Sequence, residues 1–155
     1  MKRYSTSRRR PLTKAQLLPM PASQVRRLQL KHHVALATLR TGHGDVAQLG
    51  TLITVVQVTY LLDVRSGTPS SVNDVSFYRR AECALERCVA RAKAGAPIAL
   101  TDDERAAIEP VLALHDSQLA AMPTHRYLDA WEELQRLGPT RSPIRVTEYS
   151  DRTKS

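Results

Sequence analysis

Between Leu28 and Arg65 the chain carries two long apolar stretches separated only by Gly42-His43-Gly44-Asp45. No other feature restricts the fold as much. In the first stretch Val25, Leu28, Ala35 or Leu36, and Leu39 recur at steps of three and four, the spacing that lines one face of a helix. His32 falls on that face. The predicted helix begins near Ser23 or Val25 and ends at Arg40, where Gly42 suits a left-handed cap because it has no Cβ to clash. Asp45 opens the second helix, since its carboxylate accepts backbone N–H groups and favours the positive end of the dipole. Val46, Leu49, Leu52, Ile53, Val56 and Tyr60 then form a wide stripe that stops at Ser66-Gly67. A connection this short favours antiparallel packing of the two helices.

The run from Leu52 to Leu62 is rich in β-branched residues and matches a buried strand by propensity. Length decides for helix, because the stretch between turn signals far exceeds a typical strand of about 5–6 residues. A membrane span needs about 20 mostly apolar residues. Asp45, Gln48, Gln57 and Asp63 interrupt this run, so the expectation is a core helix with no membrane partner.

Three more helices are predicted behind the hairpin. The stretch from Ser66 to Asn73 reads as a loop. Helix three runs from Asp74 to Ala94 with Asn73 as cap. Its apolar face is Phe77, Ala81, Ala84, Leu85, Cys88 and Ala92, with Arg79, Arg80, Glu82, Glu86, Arg87, Arg91 and Lys93 on a solvated face. Thr101-Asp102-Asp103-Glu104 is a capping box that starts helix four. That helix continues through Ile108, Val111, Leu112, His115, Leu119 and Met122, and Pro110 should kink it or mark its true first turn. Thr124 is the expected cap of a shorter fifth helix bearing Leu128, Trp131 and Leu134 and ending at Gly138-Pro139. The reading is all-α: an antiparallel helical bundle of four main helices plus a shorter fifth. It divides into a flexible basic arm over 1–22, a bundle domain over 23–138 and a polar disordered tail over 139–155, in which Val146 and Tyr149 could dock. Lys14 to Leu18 is expected to form one turn that tucks Leu17 and Leu18 against the body.

Charge is unevenly spread. The net charge is +8, yet the first 44 residues contain no acid. Lys2, Arg3, Arg8, Arg9, Arg10, Lys14, Arg26, Arg27 and Lys31 lie within that stretch, and the remainder of the chain is close to neutral. Such asymmetry points to an anionic partner: nucleic acid, or an acidic protein surface. These nine residues are the candidate nucleic-acid contacts, and Arg27, Lys31 and, less closely, Arg40 are read as sharing one side. Tyr4 is the only aromatic in the arm, which leaves little for base stacking.

The remaining chemistry is sparse. Cys83 and Cys88 lie about 140° apart on a helix, match no zinc spacing and form no easy disulfide. Such usage fits a reducing cytoplasm. Asp102, Asp103 and Glu104 resemble a divalent-cation cluster, but capping accounts for the same residues. Among His32, His33, His43, His115 and His125 no pair has helical ligand spacing. His32 and His115 each fall on a core stripe, and a meeting of the two with Asp116 would build a polar network inside the bundle. His43, between glycines, is placed to contact a ligand. No nucleophile elbow or Gly-rich phosphate loop is present. The expectation is a non-enzyme with no cofactor and no metal.

The segments Leu30 to Gly44 and Leu112 to Leu119, with the Arg-Arg-Pro-Leu-Thr start, resemble a group of small proteobacterial proteins. Members are often labelled Fis family regulators and are similar to cargo of phages and other mobile elements. The resemblance implies a bacterial, cytoplasmic accessory or regulatory protein and assigns no functional residue. A protein-interaction module, adaptor or inhibitor, is the alternative role.

Overall fold

The hairpin is present and the chain is built around its second arm. The computed structural model describes residues 10–66 and 74–144, and every regular element among them is a helix. In order these are α1 (Lys14–Leu17), α2 (Ala22–Arg40), α3 (Val46–Arg65), α4 (Val75–Lys93), α5 (Asp102–Ala121) and α6 (Thr124–Leu137). Lys2, Arg3, Tyr4, Arg8, Arg9, Asn73, Val146, Tyr149 and most of the loop after Ser66 lie outside the described residues.

Helix α3 is the centre: it packs against α2, α4, α5 and α6. Leu49, Leu52, Val55, Val56, Val58, Thr59, Tyr60, Leu61 and Leu62 are all buried, so the β-branched run is a helix enclosed on several sides. By length and composition α3 could cross a membrane, and half of that window is buried inside this fold. Full burial of one such aliphatic side chain contributes roughly 1.5–3 kcal/mol. Asp45 caps α3 through a complete box, accepting from the Gln48 amide at 2.8 Å while Gln48 Oε1 accepts from the Asp45 amide at 3.1 Å. Gly42 takes a positive φ of 77° at the end of α2, as its position required. Gly44 meets a different constraint. A Cβ there would lie 2.2 Å from Leu39 Cδ2 and 3.0 Å from the Ile98 carbonyl, because the loop before α5 lies against the turn.

Several local readings are corrected. The cap of α4 is Asp74, whose carboxylate accepts the Phe77 amide. Thr124 is the first residue of α6 and not its cap; its amide and hydroxyl both donate to the Leu18 carbonyl, at 2.9 and 2.8 Å. That bond, with the His125 ring 3.0 Å from the Gln16 carbonyl, fastens the segment around α1 to α6. Leu17 and Leu18 stay exposed; the buried anchor there is Met20, packed with Val25 and Leu119. Leu128 is exposed and Ala130 is the buried residue of α6. Pro110 lies within a continuous α5, on its exposed side, so the carbonyl it leaves unpaired faces water. Beyond Gly138 the chain returns to the core, with Ile144 0% exposed.

Two carboxylates are buried, Glu82 from the face read as solvated and Glu104 from the capping box. Glu82 contacts Arg79 at 3.0 Å and Gln57 of α3 at 3.5 Å. Glu104 closes the Thr101 capping box and also receives both guanidinium nitrogens of Arg91, at 2.6 and 2.7 Å. Arg91 donates further to the Ala99 carbonyl at 2.9 Å, so one ion pair fixes α4, the loop and α5 together. The Arg91 hydrogen bonds hold the Glu104 carboxyl below the ordinary range. Breaking a buried pair strands its partner. Glu104→Ala is therefore expected to lower unfolding stability by about 2–3 kcal/mol, discounted because Arg91 keeps contact with water. Asp102→Ala, at a fully solvated side chain, should change it by less than about 0.5 kcal/mol. Urea denaturation of the two variants checks this, and equal effects would refute the pair's role.

Candidate functional site

Two features of the structure offer chemistry: a cationic outer face on α2 and a cavity behind it. On α2, Arg26, Arg27, Lys31 and Arg40 are all exposed, as are Arg10 and Lys14 before it. At about 100° per residue, Arg27 and Lys31 lie some 40° apart on one edge of the outer face. Arg26 and Arg40 fall on the opposite edge, so Arg40 does not share a side with Lys31. Between the edges Leu30 is 65% exposed and Val34 48% exposed. None of these α2 cations has an ion-pair partner among the described residues, whereas Arg65, Arg79, Arg91, Arg105 and Arg136 all do. Arg10 departs from the group. It lines a depression with Arg65, His125, Asp129, Glu132 and Arg136, apart from the outer face of α2.

Behind α2 a cavity of about 270 Å³ opens between α2, α3, α5 and α6. His32 and His115 line it from α2 and α5, with ring centroids 5.3 Å apart. Tyr127 stands 6.3 Å from His115, and Trp131 6.5 Å from Tyr127, so four aromatic rings run in series along it. Lys31, Gly50, Thr51 and Thr54 are at its open side, and Val55 and Val58 are at its floor. The two core histidines meet as the stripes suggested, but Asp116 does not join them. It accepts instead from exposed His33 at 2.7 Å. His43 is exposed and 3.3 Å from the Thr41 hydroxyl, away from this cavity's lining.

The hydrogen bonds set the state of His115. Thr59 Oγ1 donates to the Val55 carbonyl at 2.6 Å, which uses its only proton. The 3.0 Å contact between Thr59 Oγ1 and His115 Nδ1 is then donated by the ring, leaving Nε2 as an acceptor. His32 Nδ1 is buried with no partner, as is Gln118 Oε1. Burial lowers His32 to about 4, with nearby Lys31 adding to the effect, and lowers His115 to about 3, with His32 adding. Both rings are neutral at pH 7 and present one donor and one acceptor each. Among the described residues no group of three or more His, Cys, Asp or Glu is placed to hold a metal ion.

A second, larger groove of about 500 Å³ lies between α3 and the end of α4, lined by Val46, Leu49, Ile53, Val89 and Ile98. It offers almost no polar atoms. Sequence periodicity placed Leu28, His32, His115 and Trp131 on helix faces and raised a meeting of the two histidines; Gly50, Thr54, Val55, Val58 and Tyr127 carried no local signal and join the site only through the packing of four helices. Comparison with protein families, curated proteins and solved structures finds no match to this chain.

Because both histidines titrate below 6.5 in the folded state, the unfolded chain binds more protons between pH 6.5 and about 4. Their contribution is complete above that window and is lost as pH falls through it. Stability is expected to drop by on the order of 1–2 kcal/mol per histidine by about pH 5, above the range where carboxylates titrate. His32→Leu should be near neutral at pH 7, since it removes an unpartnered buried nitrogen, and should flatten the profile. Urea midpoints measured across that range decide; a variant with the wild-type slope would exclude His32 as a source.

Proposed function

We propose that this chain is a non-enzymatic accessory or regulatory protein that binds nucleic acid through its N-terminal cations, a role of the kind carried by bacterial mobile elements and exerted in the cytoplasm. One observation carries the reading. An acid-free stretch of 44 residues ends in a helix whose exposed cations have no carboxylate partners among the described residues. Lysine and arginine in that state gain by exchanging counterions for phosphates, and need no base-specific contact to do so. Arg26, Arg27, Lys31 and Lys14 are the contacts this geometry favours, with Lys2, Arg3, Arg8 and Arg9 adding charge. Arg10 lies apart from them, in a depression it shares with Arg65, Asp129, Glu132 and Arg136. On this reading the long helices form an antiparallel bundle of four plus a shorter fifth, a rigid platform for the cationic face.

A second reading has its own observation. Leu30 and Val34 are exposed between the cationic edges, and apolar side chains gain nothing from phosphates. They suit an acidic protein surface with apolar anchors, as an adaptor or inhibitor would use.

Fluorescence anisotropy with a mixed-sequence duplex and an RNA hairpin separates the two. Removing residues 1–22 would also remove buried Met20, so charge substitutions are the cleaner variant. With roughly six or more phosphate contacts, affinity is expected to fall at least 10³-fold between about 50 and 200 mM salt. Arg26→Gln/Arg27→Gln/Lys31→Gln should reduce the magnitude of the salt slope by roughly 3. Binding that ignores salt, or whose affinity and salt slope are unchanged by the triple substitution, would overturn the nucleic-acid reading. A stable protein partner lost on Leu30→Ser/Val34→Ser, with no nucleic-acid binding, would establish the second.

A further inference from the structure

We propose that the histidine-lined cavity is a binding site for a planar heteroaromatic ring bearing an anionic group, the chemistry of a nucleotide.

Size is the first argument. A cavity of roughly 150 Å³ accommodates benzene. At about 270 Å³ this one suits a bicyclic or substituted single ring, with any further group left at the mouth. Its walls are the second argument. The faces and edges of His32, His115, Tyr127 and Trp131 offer the offset and edge-on contacts that a flat π-system takes up. The third is polar supply. Thr51 and Thr54 stand at the open side and the imidazoles of His32 and His115 are in the lining, so the walls carry donors and acceptors for the edge of a heteroaromatic ring. Neutral rings that each offer one donor and one acceptor match an uncharged base-like edge.

Charge then orients the ligand. Among the described residues Lys31 is the only charged one lining the cavity; it is exposed, at the rim, and Arg27 lies one turn before it on the same edge. An anionic substituent of a ring seated inside would emerge there. Gly50 is the last sign. It sits inside α3, where glycine costs about 1 kcal/mol relative to alanine. No atom lies within 4 Å of where its Cβ would be, so packing does not demand glycine at this place. It lines this cavity and two neighbouring depressions, so a side chain there would stand in the opening.

The site shares Lys31 with the cationic face but does not require that face to hold a polymer. The nucleotide could be free or an unstacked position in a single strand. Trp131 is the chain's one tryptophan and lines the cavity, so its fluorescence reports occupancy directly. Purine and pyrimidine nucleoside monophosphates, the matching nucleosides, inorganic phosphate and short single-stranded oligonucleotides are titrated into the full chain, with correction for ligand absorption.

Saturable quenching by at least one monophosphate or oligonucleotide is expected, with none by phosphate alone. Lys31→Gln and removal of the phosphate should each weaken binding about 2–5-fold, as for a solvent-exposed charge contact. Gly50→Leu, a helix-favouring change at an open position, should abolish quenching while keeping the circular dichroism and melting at or above the wild-type temperature. Gly50→Ala should fold at least as stably and serve as the second variant. Quenching by oligonucleotides alone would assign the ring to a strand, and by monophosphates to a free ligand. No saturable quenching by any nucleotide, or quenching untouched by a folded Gly50→Leu, would overturn the proposal. Salt-dependent duplex binding that survives Gly50→Leu would show the cationic face acting independently of the cavity.

Discussion

Helix α3 cannot stand in water, and the rest of the fold follows from covering it. Its apolar residues are not confined to one stripe: Leu49, Val56 and Tyr60 lie in different directions from Val55, Leu62 and Val58, and all are buried. One partner helix covers one side. Four are therefore required, and α2, α4, α5 and α6 each supply an apolar face to it. The β-branched residues have stiff side chains and little helix preference, so tertiary enclosure, not propensity, keeps this segment helical.

Coverage is incomplete at one end. The first turns of α3 carry Val46, 75% exposed, and then Gly50, with open space where a side chain would be. The histidine cavity, the apolar groove and a third depression beside Trp131 all touch Gly50. Three openings are thus gathered where the central helix lacks a side chain, while Tyr78 of α4 packs on the C-terminal half of α3, its hydroxyl donating to Asp63 at 2.7 Å.

Much of this was legible in the sequence. Periodicity located the helices, Gly42 and Asp45 marked the turn between α2 and α3, and the Thr101 box marked the start of α5, because each of these signals is local. What escaped was set by partners distant in the chain. Glu82 is charged, so a helical wheel assigns it to solvent, and Glu104 reads only as the closing member of a capping box. Each is buried because an arginine reaches it: Arg79 on its own helix, Arg91 from the neighbouring one. Leu17, Leu18 and Leu128 failed in the opposite sense. They are apolar and lie where no neighbour arrives, while Met20 and Ile144, in stretches read as an arm and a tail, reach the core. The cationic face was legible because an absence of acids needs no structure to see. The cavity was not, because it exists only where α2, α5 and α6 converge on α3.

Neutral histidines and a cationic helix face could hardly be neighbours unless burial separated them. Lys31 and His32 are adjacent in sequence but point to opposite environments: the ammonium to solvent, the imidazole to the core. The like-charge contribution of Lys31 to His32 acts with desolvation, so the cationic rim itself helps to keep the ring unprotonated. A single turn of α2 therefore presents a positive charge outward and an uncharged hydrogen-bonding ring inward. A ligand that spans the two must carry its charge at one end and its polar, neutral edge at the other.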